Sequence, residues 1–271
     1  MDSLLIFFEQ MPAWQKFVYV LGTLIFCWLL EGNYPLFQFD YQKWKHGGAN
    51  LVFFLGVGII NLIFGIATVG VFEWVQQNEI GILFIIGLPI WAELLITLLL
   101  LELVAQYFVH YLMHRIKWMW RLHMVHHSDT KVDATTGTRH HPGDYILREL
   151  FALVAIILIG APIAFYLTYR IFSIFFTYTT HANITMPNWL DKSLSWIFIT
   201  PNMHKFHHHF EIPWTDTNFG NIFSIWDRIF GTMVYDDPKK VRYGLDFLDG
   251  TPDENILFLL KMPFDKNISS D

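Results

Sequence analysis

Two short histidine-rich segments could carry the chemistry of this protein. Residues 121–133 read RLHMVHHSDTKVD, and residues 202–210 read NMHKFHHHF. Each contains the pattern His-x-x-His-His, whose side chains at i, i+3 and i+4 share one face of a helix. Neutral imidazoles grouped in this way can form part of a metal shell, and imidazole suits zinc, copper, iron and nickel. The repeated spacing therefore predicts a metal site built from both segments.

Further histidines extend this set. His110 and His114 stand one helical turn apart, His181 follows an apolar segment, and RHHPGD at residues 139–144 contains His141 just before a proline. The candidate ligands are His110, His114, His123, His126, His127, His141, His181, His204, His207 and His208. Ten imidazoles are too many for one ion. They fit two ions, each with an open position as in a catalytic site.

The remaining histidines are expected to do other things. His209 rotates off the face of the second pattern, so it is expected to support a ligand or lie on the surface. His46 is far from the other histidines in sequence and is expected in a loop. Alternatives remain for three candidate ligands, because His110 and His114 could cap a polar interface and His181 could lie at one.

The composition indicates a membrane protein. The chain is 54% hydrophobic and only 15% charged, whereas a soluble domain carries about 25% charged residues. A net charge of -6 offers no basic surface for nucleic acid. Cys27 is the single cysteine and cannot form an intrachain disulfide. The acidic first residues do not resemble a cleaved signal peptide.

Four apolar regions must position the histidines, and they predict an all-α polytopic protein, since helices satisfy their own backbone hydrogen bonds in lipid. These regions are residues 17–30, 51–72, 80–103 and 146–180. The second is long enough to cross a bilayer. The last is too long for one span, and GAPIAF at its centre predicts a helical hairpin. One long kinked helix is the alternative.

Charge placement predicts the topology. Residues 106–145 and 181–271 carry many lysines and arginines, whereas the connection EWVQQNE at residues 73–79 has two acids and no base. Lysine and arginine favour the cytoplasmic face, so residues 73–79 are predicted to face outward. The chain is expected to be one domain, residues 1–271, with about four membrane helices or hairpin arms beneath a helical, histidine-rich cytosolic cap.

The order and spacing of these motifs resemble the fatty acid hydroxylase and sterol desaturase superfamily. WRLHMVHHSDTKVDATTGTRHHP, residues 120–142, and NMHKFHHHFEIPWTDTNFGNIFSIWDRIFGT, residues 202–232, look like its bacterial-type sterol desaturase branch. The likeness extends over residues 106–232. It implies a non-haem di-iron centre that activates O2, with the ten histidines as ligands. Its His-Pro motif selects His141, with His140 as the rival, and Thr177 stands where yeast-type hydroxylases carry a further histidine.

The resemblance implies oxidation of a lipid, with hydroxylation expected first and desaturation second. Iron is expected in the working enzyme, and zinc could replace it in purified protein. No nucleotide-binding fingerprint is visible, so electrons should come from an external ferredoxin, rubredoxin or cytochrome. The branch favours a bacterial inner membrane over the endoplasmic reticulum. A carotenoid or alkylglycerol oxygenase is the alternative within the class.

Two polar residues after the second histidine segment are expected to support the site. Asp216 and Asn218 could accept hydrogen bonds from the outer N–H groups of ligand histidines, and helix capping is the alternative. A histidine-lined metal transporter is a different class of function. Its ligands should lie near the bilayer midplane in broken helices, whereas these histidines follow the apolar regions. A non-catalytic scaffold that retains its metal is a third hypothesis.

Overall fold

The computed structural model describes residues 2–248 and 254–268, which form helices and connecting turns without a named β-strand. The α-helices are α1 (Asp2–Gln10), α2 (Ala13–Asn33), α3 (Lys43–Gln77), α4 (Ile90–Glu102), α5 (Val109–Arg115), α6 (Lys117–His127), α7 (Pro142–Ile159), α8 (Ile163–His181), α9 (Asn188–Leu194), α10 (Pro201–His207), α11 (Ile225–Ile229) and α12 (Ile256–Lys261). A π-helical stretch, Leu103–Phe108, joins α4 to α5. The all-α class predicted from the sequence is confirmed for these residues.

Three segments in the described part of the chain are long and apolar enough to cross a membrane. They are Ala13–Asn33, Lys43–Phe84 and Ile90–Arg115. The first three apolar regions of the sequence fall within or overlap these segments. The third region was expected from residue 80, but α4 begins only at Ile90, because Gly81 is a left-handed turn residue (φ 117) and Pro89 caps the helix. The protein is thus an integral membrane protein with three candidate spans.

The fourth apolar region is a helical hairpin, as predicted. Helix α7 ends at Gly160, whose φ of 74 suits glycine, and Pro162 precedes α8. This turn packs backbone against backbone on the turn after α3, since a Cβ on Gly160 would lie 2.3 Å from the carbonyl oxygen of Ile80. Gln76 also donates to the Gly160 carbonyl at 3.2 Å. Neither hairpin arm is among the three candidate spans.

The two turns fix the relative direction of the helices. Because the α3–α4 turn and the α7–α8 turn lie together, the opposite ends of α4–α5, α7 and α8 also lie together. Those ends lead into the histidine segments, which meet there. The hairpin packs tightly because α7 presents Ala152 and Ala155, and α8 presents Ala164, to a core that includes Leu101 and Phe165. The α3 face with Leu62 and Ile66 is 73% and 76% exposed, as a lipid-facing surface would be.

Candidate metal centre

Nine of the ten candidate ligands lie in two adjoining clusters. The five-histidine cluster contains His110, His114, His123, His127 and His207. The four-histidine cluster contains His126, His181, His204 and His208. Within each cluster the ligand atoms all lie within 4.8 Å of one another. The rings of His127 and His208 stack across the boundary, with centroids 4.7 Å apart.

The spacing His-x-x-His-His explains how two helices serve both clusters. Helix α6 gives His123 and His127 to the five-histidine cluster and His126 to the other. Helix α10 gives His207 to the former and His204 to the latter, with His208 just past its end. Residues i and i+4 lie above one another, while a residue between them points to one side. Each segment therefore supplies ligands to both clusters. A segment that served a single ion would need ligands in one direction only.

The Nε2 atoms inside the five-histidine cluster converge without a proton between them. His110 Nε2 lies 3.0 Å from His123 Nε2, and His127 Nε2 lies 3.1 Å from the same atom. His110 Nδ1 donates to the Phe219 carbonyl at 2.9 Å, and His123 Nδ1 donates to Asp144 at 2.9 Å. Those bonds place the proton of each neutral ring on Nδ1, so bare lone pairs face each other. Such an arrangement favours a cation.

The four-histidine cluster converges on one nitrogen. His126, His204 and His208 each bring Nε2 to within 3.0–3.1 Å of His181 Nε2. His181 Nδ1 donates to the Thr177 carbonyl at 2.6 Å, so its Nε2 has one lone pair for three neighbours. A metal–nitrogen distance of about 2.1 Å places ligands at right angles about 3.0 Å apart, and tetrahedral ones about 3.4 Å apart. Both clusters therefore have the dimensions of a metal shell.

Acceptors around the five-histidine cluster set the ring orientations. Besides the bonds of His110 and His123, His207 Nδ1 donates to the Thr217 carbonyl at 2.8 Å. His114 Nδ1 lies 3.2 Å from Asp216 Oδ1. The Nε2 atoms of His114 and His207 are buried without a hydrogen-bond partner. In each of these rings the outer nitrogen, Nδ1, is held by an acceptor and the inner nitrogen, Nε2, has no partner. This is the arrangement of a histidine that binds a metal.

Burial keeps these histidines neutral near pH 7. Desolvation lowers the pKa of His123 to about 3, although Asp144 opposes the shift. It also lowers the pKa of His127, His207 and His208 well below the ordinary value, and neighbouring histidines add to the effect. A neutral imidazole is the form that binds metal. The protein thus holds its candidate ligands in the binding form before any ion arrives.

The pair His140–His141 has the opposite orientation to the one expected. His141 is the N-cap of α7, where its Nδ1 accepts from the Gly143 N–H at 3.0 Å. Its Nε2 therefore carries the proton and donates to the Leu260 carbonyl at 3.3 Å. His141 lies outside both clusters and does not face them, contrary to the expectation. The physical reason is that Pro142 starts a helix, which turns the preceding side chain onto the helix N-terminus.

His140 faces the site instead. Its ring stacks on His126 with centroids 4.6 Å apart, and its Nδ1 lies 3.2 Å from Asp144 Oδ2. His140, His123 and Asp144 form a third group whose ligand atoms lie close together. The expectation that one neighbour points inward and the other outward follows from the extended backbone, but the choice between them was reversed.

Other expectations have mixed outcomes. Asp216 stands beside His114 as described above, whereas Asn218 bonds the Met203 and Val234 carbonyls and accepts from the Val234 N–H at 2.9 Å. Asn218 takes a left-handed conformation, φ 52, and ties a turn together, so the expectation that it supports a histidine is corrected. His209 lies outside both clusters, where its Nδ1 accepts from the Arg242 N–H at 3.0 Å.

His46 is not a loop residue. It lies in the first turn of α3, fully buried, with Nε2 at 3.3 Å from Asp129 Oδ2. The loop was expected to extend to the apolar region at residue 51, but α3 begins eight residues before that region. Helix α3 thus extends beyond its apolar part and packs on the turn Ala134–Thr138 that connects the first histidine segment to α7.

Two carboxylates that position the site were not identified from the sequence. Asp144 accepts from His123, as given above, and from Arg148 Nε at 2.9 Å. Glu102 is buried at the end of α4 and accepts from the Asn221 and Ile222 N–H groups, both at 2.6 Å. It therefore holds the loop that carries Phe219 against the helix. The sequence signal that could have identified Glu102 is its position as an acidic residue at the end of an apolar region.

A cavity of about 170 Å³ opens onto the histidines. Residues of both clusters line it, among them His110, His126 and His181. From there it extends between α3, α7 and α8 to Asn61 and Arg170, with Val20 of α2 at its side. A chain-like molecule could thus reach the clusters from the level of the apolar helices.

One family model and several curated proteins are similar in sequence to this chain. The family model described as fatty acid hydroxylase matches residues 94–232, which include 139 of the 271 residues. The matched range includes both histidine segments, His181 and the whole hairpin. No solved structure matches the chain significantly.

Three curated relatives carry out reactions on different lipids, according to their names. The chain is 28% identical over 160 residues to an ornithine lipid hydroxylase of Rhizobium tropici, covering 59% of this chain and 47% of that protein. It is 30% identical over 146 residues to alkylglycerol monooxygenase of Xenopus tropicalis, covering 51% of this chain and 30% of the relative. It is 26% identical over 146 residues to human cholesterol 25-hydroxylase, covering 52% and 51%. Each alignment spans about half or less of the relative, and the family match over more than half of this chain shows that it belongs to the fatty acid hydroxylase family.

Proposed function

We propose that this protein is a membrane oxygenase that hydroxylates a lipid with O2, using two iron ions held one in each histidine cluster. The observation that carries the proposal is the convergence of buried Nε2 atoms at 3.0–3.1 Å in two adjoining groups. Nine imidazoles in two adjoining groups exceed the needs of one ion. Membership of the family and the lipid names of its relatives support the same function.

The protein's own residues would hold, orient and protect the metals. Bound iron would supply the oxidant that an unactivated C–H bond requires. Asp144 and the Phe219, Thr177 and Thr217 carbonyls keep protons on Nδ1 of four histidines. Those bonds leave Nε2 free to bind in His123, His110, His181 and His207. Burial of both clusters excludes bulk water from the reacting centre. The cavity would hold the carbon to be oxidised beside them.

The substrate and the electron source belong to the same proposal. A lipid would enter from the bilayer, and hydroxylation is proposed ahead of desaturation because the relatives are named as hydroxylases and monooxygenases. The likeness to alkylglycerol monooxygenase makes an ether lipid a second candidate substrate. Electrons would come from an external ferredoxin, rubredoxin or cytochrome. The clusters are proposed to face the cytoplasm, in a bacterial inner membrane.

Labelled oxygen tests this function directly. Membranes with the wild-type protein are supplied with ¹⁸O2 and a reducing system, and their lipids are analysed by mass spectrometry. The proposal expects a lipid that gains one ¹⁸O atom only with the wild type, and none with His123→Ala or His204→Ala. His209→Ala is the matched control, since it removes a histidine outside both clusters. Labelled product that persists in both cluster variants would contradict the proposal.

A further inference from the structure

The cavity contains a polar group between α3, α7 and α8, at the level of the apolar helices. Arg170 of α8 donates to Glu149 of α7 at 2.8 Å, to Asn61 of α3 at 2.9 Å and to the Tyr145 hydroxyl at 2.9 Å. All four of these residues line the cavity. We call Asn61, Tyr145, Glu149 and Arg170 the polar clamp. Ionisable residues at such a depth are costly and usually mark a functional site.

We propose that the polar clamp binds an uncharged oxygen function of the lipid substrate, such as a hydroxyl, ether or ester oxygen, while the chain runs toward the histidines. The inference rests on the proposed function, because it assumes that the occupant of the cavity is the molecule to be oxidised. It predicts that the substrate carries a polar group, and it predicts how far that group lies from the oxidised carbon.

The charges of the polar clamp favour an uncharged partner. Arg170 and Glu149 neutralise each other, so an anionic group would add a buried charge without a counterion. The next basic residue in the cavity, Arg148, is already paired with Asp144 at 2.9 Å. A hydroxyl or ether oxygen meets no such penalty. A purely apolar chain would form no hydrogen bond with the clamp, so the clamp would not contribute to its binding.

Arg170 retains the capacity to bind such an oxygen. A guanidinium has five N–H donors, and its described bonds to Glu149, Asn61 and Tyr145 use three of them. Its side chain is 26% exposed whereas that of Glu149 is 4% exposed, so Arg170 is the more accessible member of the ion pair. Asn61 and Tyr145 hold each other in place, with the amide donating to the hydroxyl at 2.9 Å.

One face of α8 connects the clamp to the histidines. Arg170, Ser173, Thr177 and His181 recur every three or four residues, and all line the cavity. His181 lies eleven positions after Arg170, a rise of about 16.5 Å along the helix axis at 1.5 Å per residue, roughly the length of a dozen extended methylene groups. Tyr145, which bonds Arg170, has its ring 6.2 Å from that of His140. The oxidised carbon should therefore be separated from the bound oxygen by at most roughly that many bonds.

Photolabelling tests the orientation without requiring turnover. Two hexadecanol probes are compared, one with a diazirine beside the hydroxyl carbon and one with it near the far end of the chain. Adducts on the purified full-length protein are mapped by peptide mass spectrometry. The first probe should label residues near Arg170 and Asn61, and the second should label residues near Thr177 and His181. The reverse order, or equal labelling of lipid-facing Leu62 and Ile66 by both probes, would overturn the proposal.

Competition and variants test the chemistry of the clamp. Excess hexadecanol should suppress labelling on the order of 5- to 10-fold better than hexadecane or hexadecanoate, as one additional hydrogen bond allows. Tyr145→Phe and Asn61→Leu should weaken that preference, because these side chains hold the Arg170 guanidinium in place. Tyr19→Phe is the matched control, because its hydroxyl bonds the Ile171 carbonyl of α8 outside the cavity lining. Equal competition by the three compounds on the wild type would overturn the proposal.

Failure of this inference can be distinguished from failure of the proposed function. If the two probes label the expected residues but no lipid gains ¹⁸O, the clamp proposal stands and the oxygenase proposal is rejected. Labelled product with disordered photolabelling would retain the oxygenase and reject the clamp.

Discussion

Asp144 Oδ2 lies 2.9 Å from His123 Nδ1 and 3.2 Å from His140 Nδ1. One carboxylate at the start of α7 therefore orients a histidine of the first segment and a histidine of the segment before the hairpin. Arg148, one turn later, bonds the other oxygen at 2.9 Å and keeps the carboxylate fixed. Asp144 thus joins the hairpin to the five-histidine cluster through side chains alone.

The first prediction concerns this carboxylate. Asp144→Asn should weaken metal binding in the five-histidine cluster by about 10- to 100-fold, because partners of a ligand's outer nitrogen tune its orientation and basicity. Metal retention during dialysis against a chelator measures the effect. Asp191→Asn is a suitable control, since Asp191 is also fully buried but lies in α9 outside the candidate clusters. Equal retention by both variants would show that Asp144 does not position His123.

The second prediction separates the neighbours His140 and His141. His140→Ala should lower oxygenase turnover and weaken metal retention, because its ring packs on His126 and shares Asp144 with His123. His141→Ala should keep both metals and cost about 1 kcal/mol of stability through loss of the helix cap. Elemental analysis and thermal denaturation of both variants distinguish the two roles. Loss of metal in His141→Ala alone would restore the family's His-Pro pattern as the ligand.

The third prediction concerns pH. In the metal-free folded protein the pKa of His123 is about 3, below the ordinary value of about 6.5. The unfolded chain therefore binds this proton first, so the contribution of neutral His123 to stability should be complete above about pH 6.5 and be lost as the pH drops toward about 3. Thermal denaturation of chelator-treated wild type and His123→Gln at pH 7.5 and 5.5 checks this, because the midpoint of the wild type relative to the variant should fall at the acidic pH. A relative midpoint that rises at the acidic pH would contradict the burial of a neutral His123.

The fourth prediction concerns topology. The α3–α4 turn packs on the α7–α8 turn, so both should lie on the face opposite the histidines. A reporter inserted at residues 73–79 should report the outside, and one after Thr232 should report the inside. The two reporters on one side would contradict both the span count and the direction of the hairpin.

The sequence predicts the histidine clusters well because their spacing is a local property of a helix. His-x-x-His-His on α6 and α10 needs little tertiary information to be recognised as a ligand pattern. His141 was misplaced because its orientation depends on where α7 begins, and an extended backbone and a helix start both accommodate Pro142. His46 was misplaced for a similar reason, since helix α3 begins in a polar stretch before its apolar part.

Long-range partners are harder to obtain from the sequence. Asp144 and Glu102 act on residues 21 and 119 positions away, and nothing in their local sequence identifies those partners. Arg170 and Glu149 lie inside the apolar hairpin, where hydropathy shows that charges occur but not that they pair across two helices. Only the packing of α3, α7 and α8 brings the polar clamp together.

The metal content of the purified protein tests the central claim most directly. Full-length protein is purified without chelators from iron-supplemented cells, and metal per chain is determined by elemental analysis. The wild type should hold two ions per chain, and so should His209→Ala. His110→Ala and His204→Ala should each fall toward one, because each removes a ligand from a different cluster. A wild type with no metal, or clearly with one ion per chain, would contradict the two-ion centre.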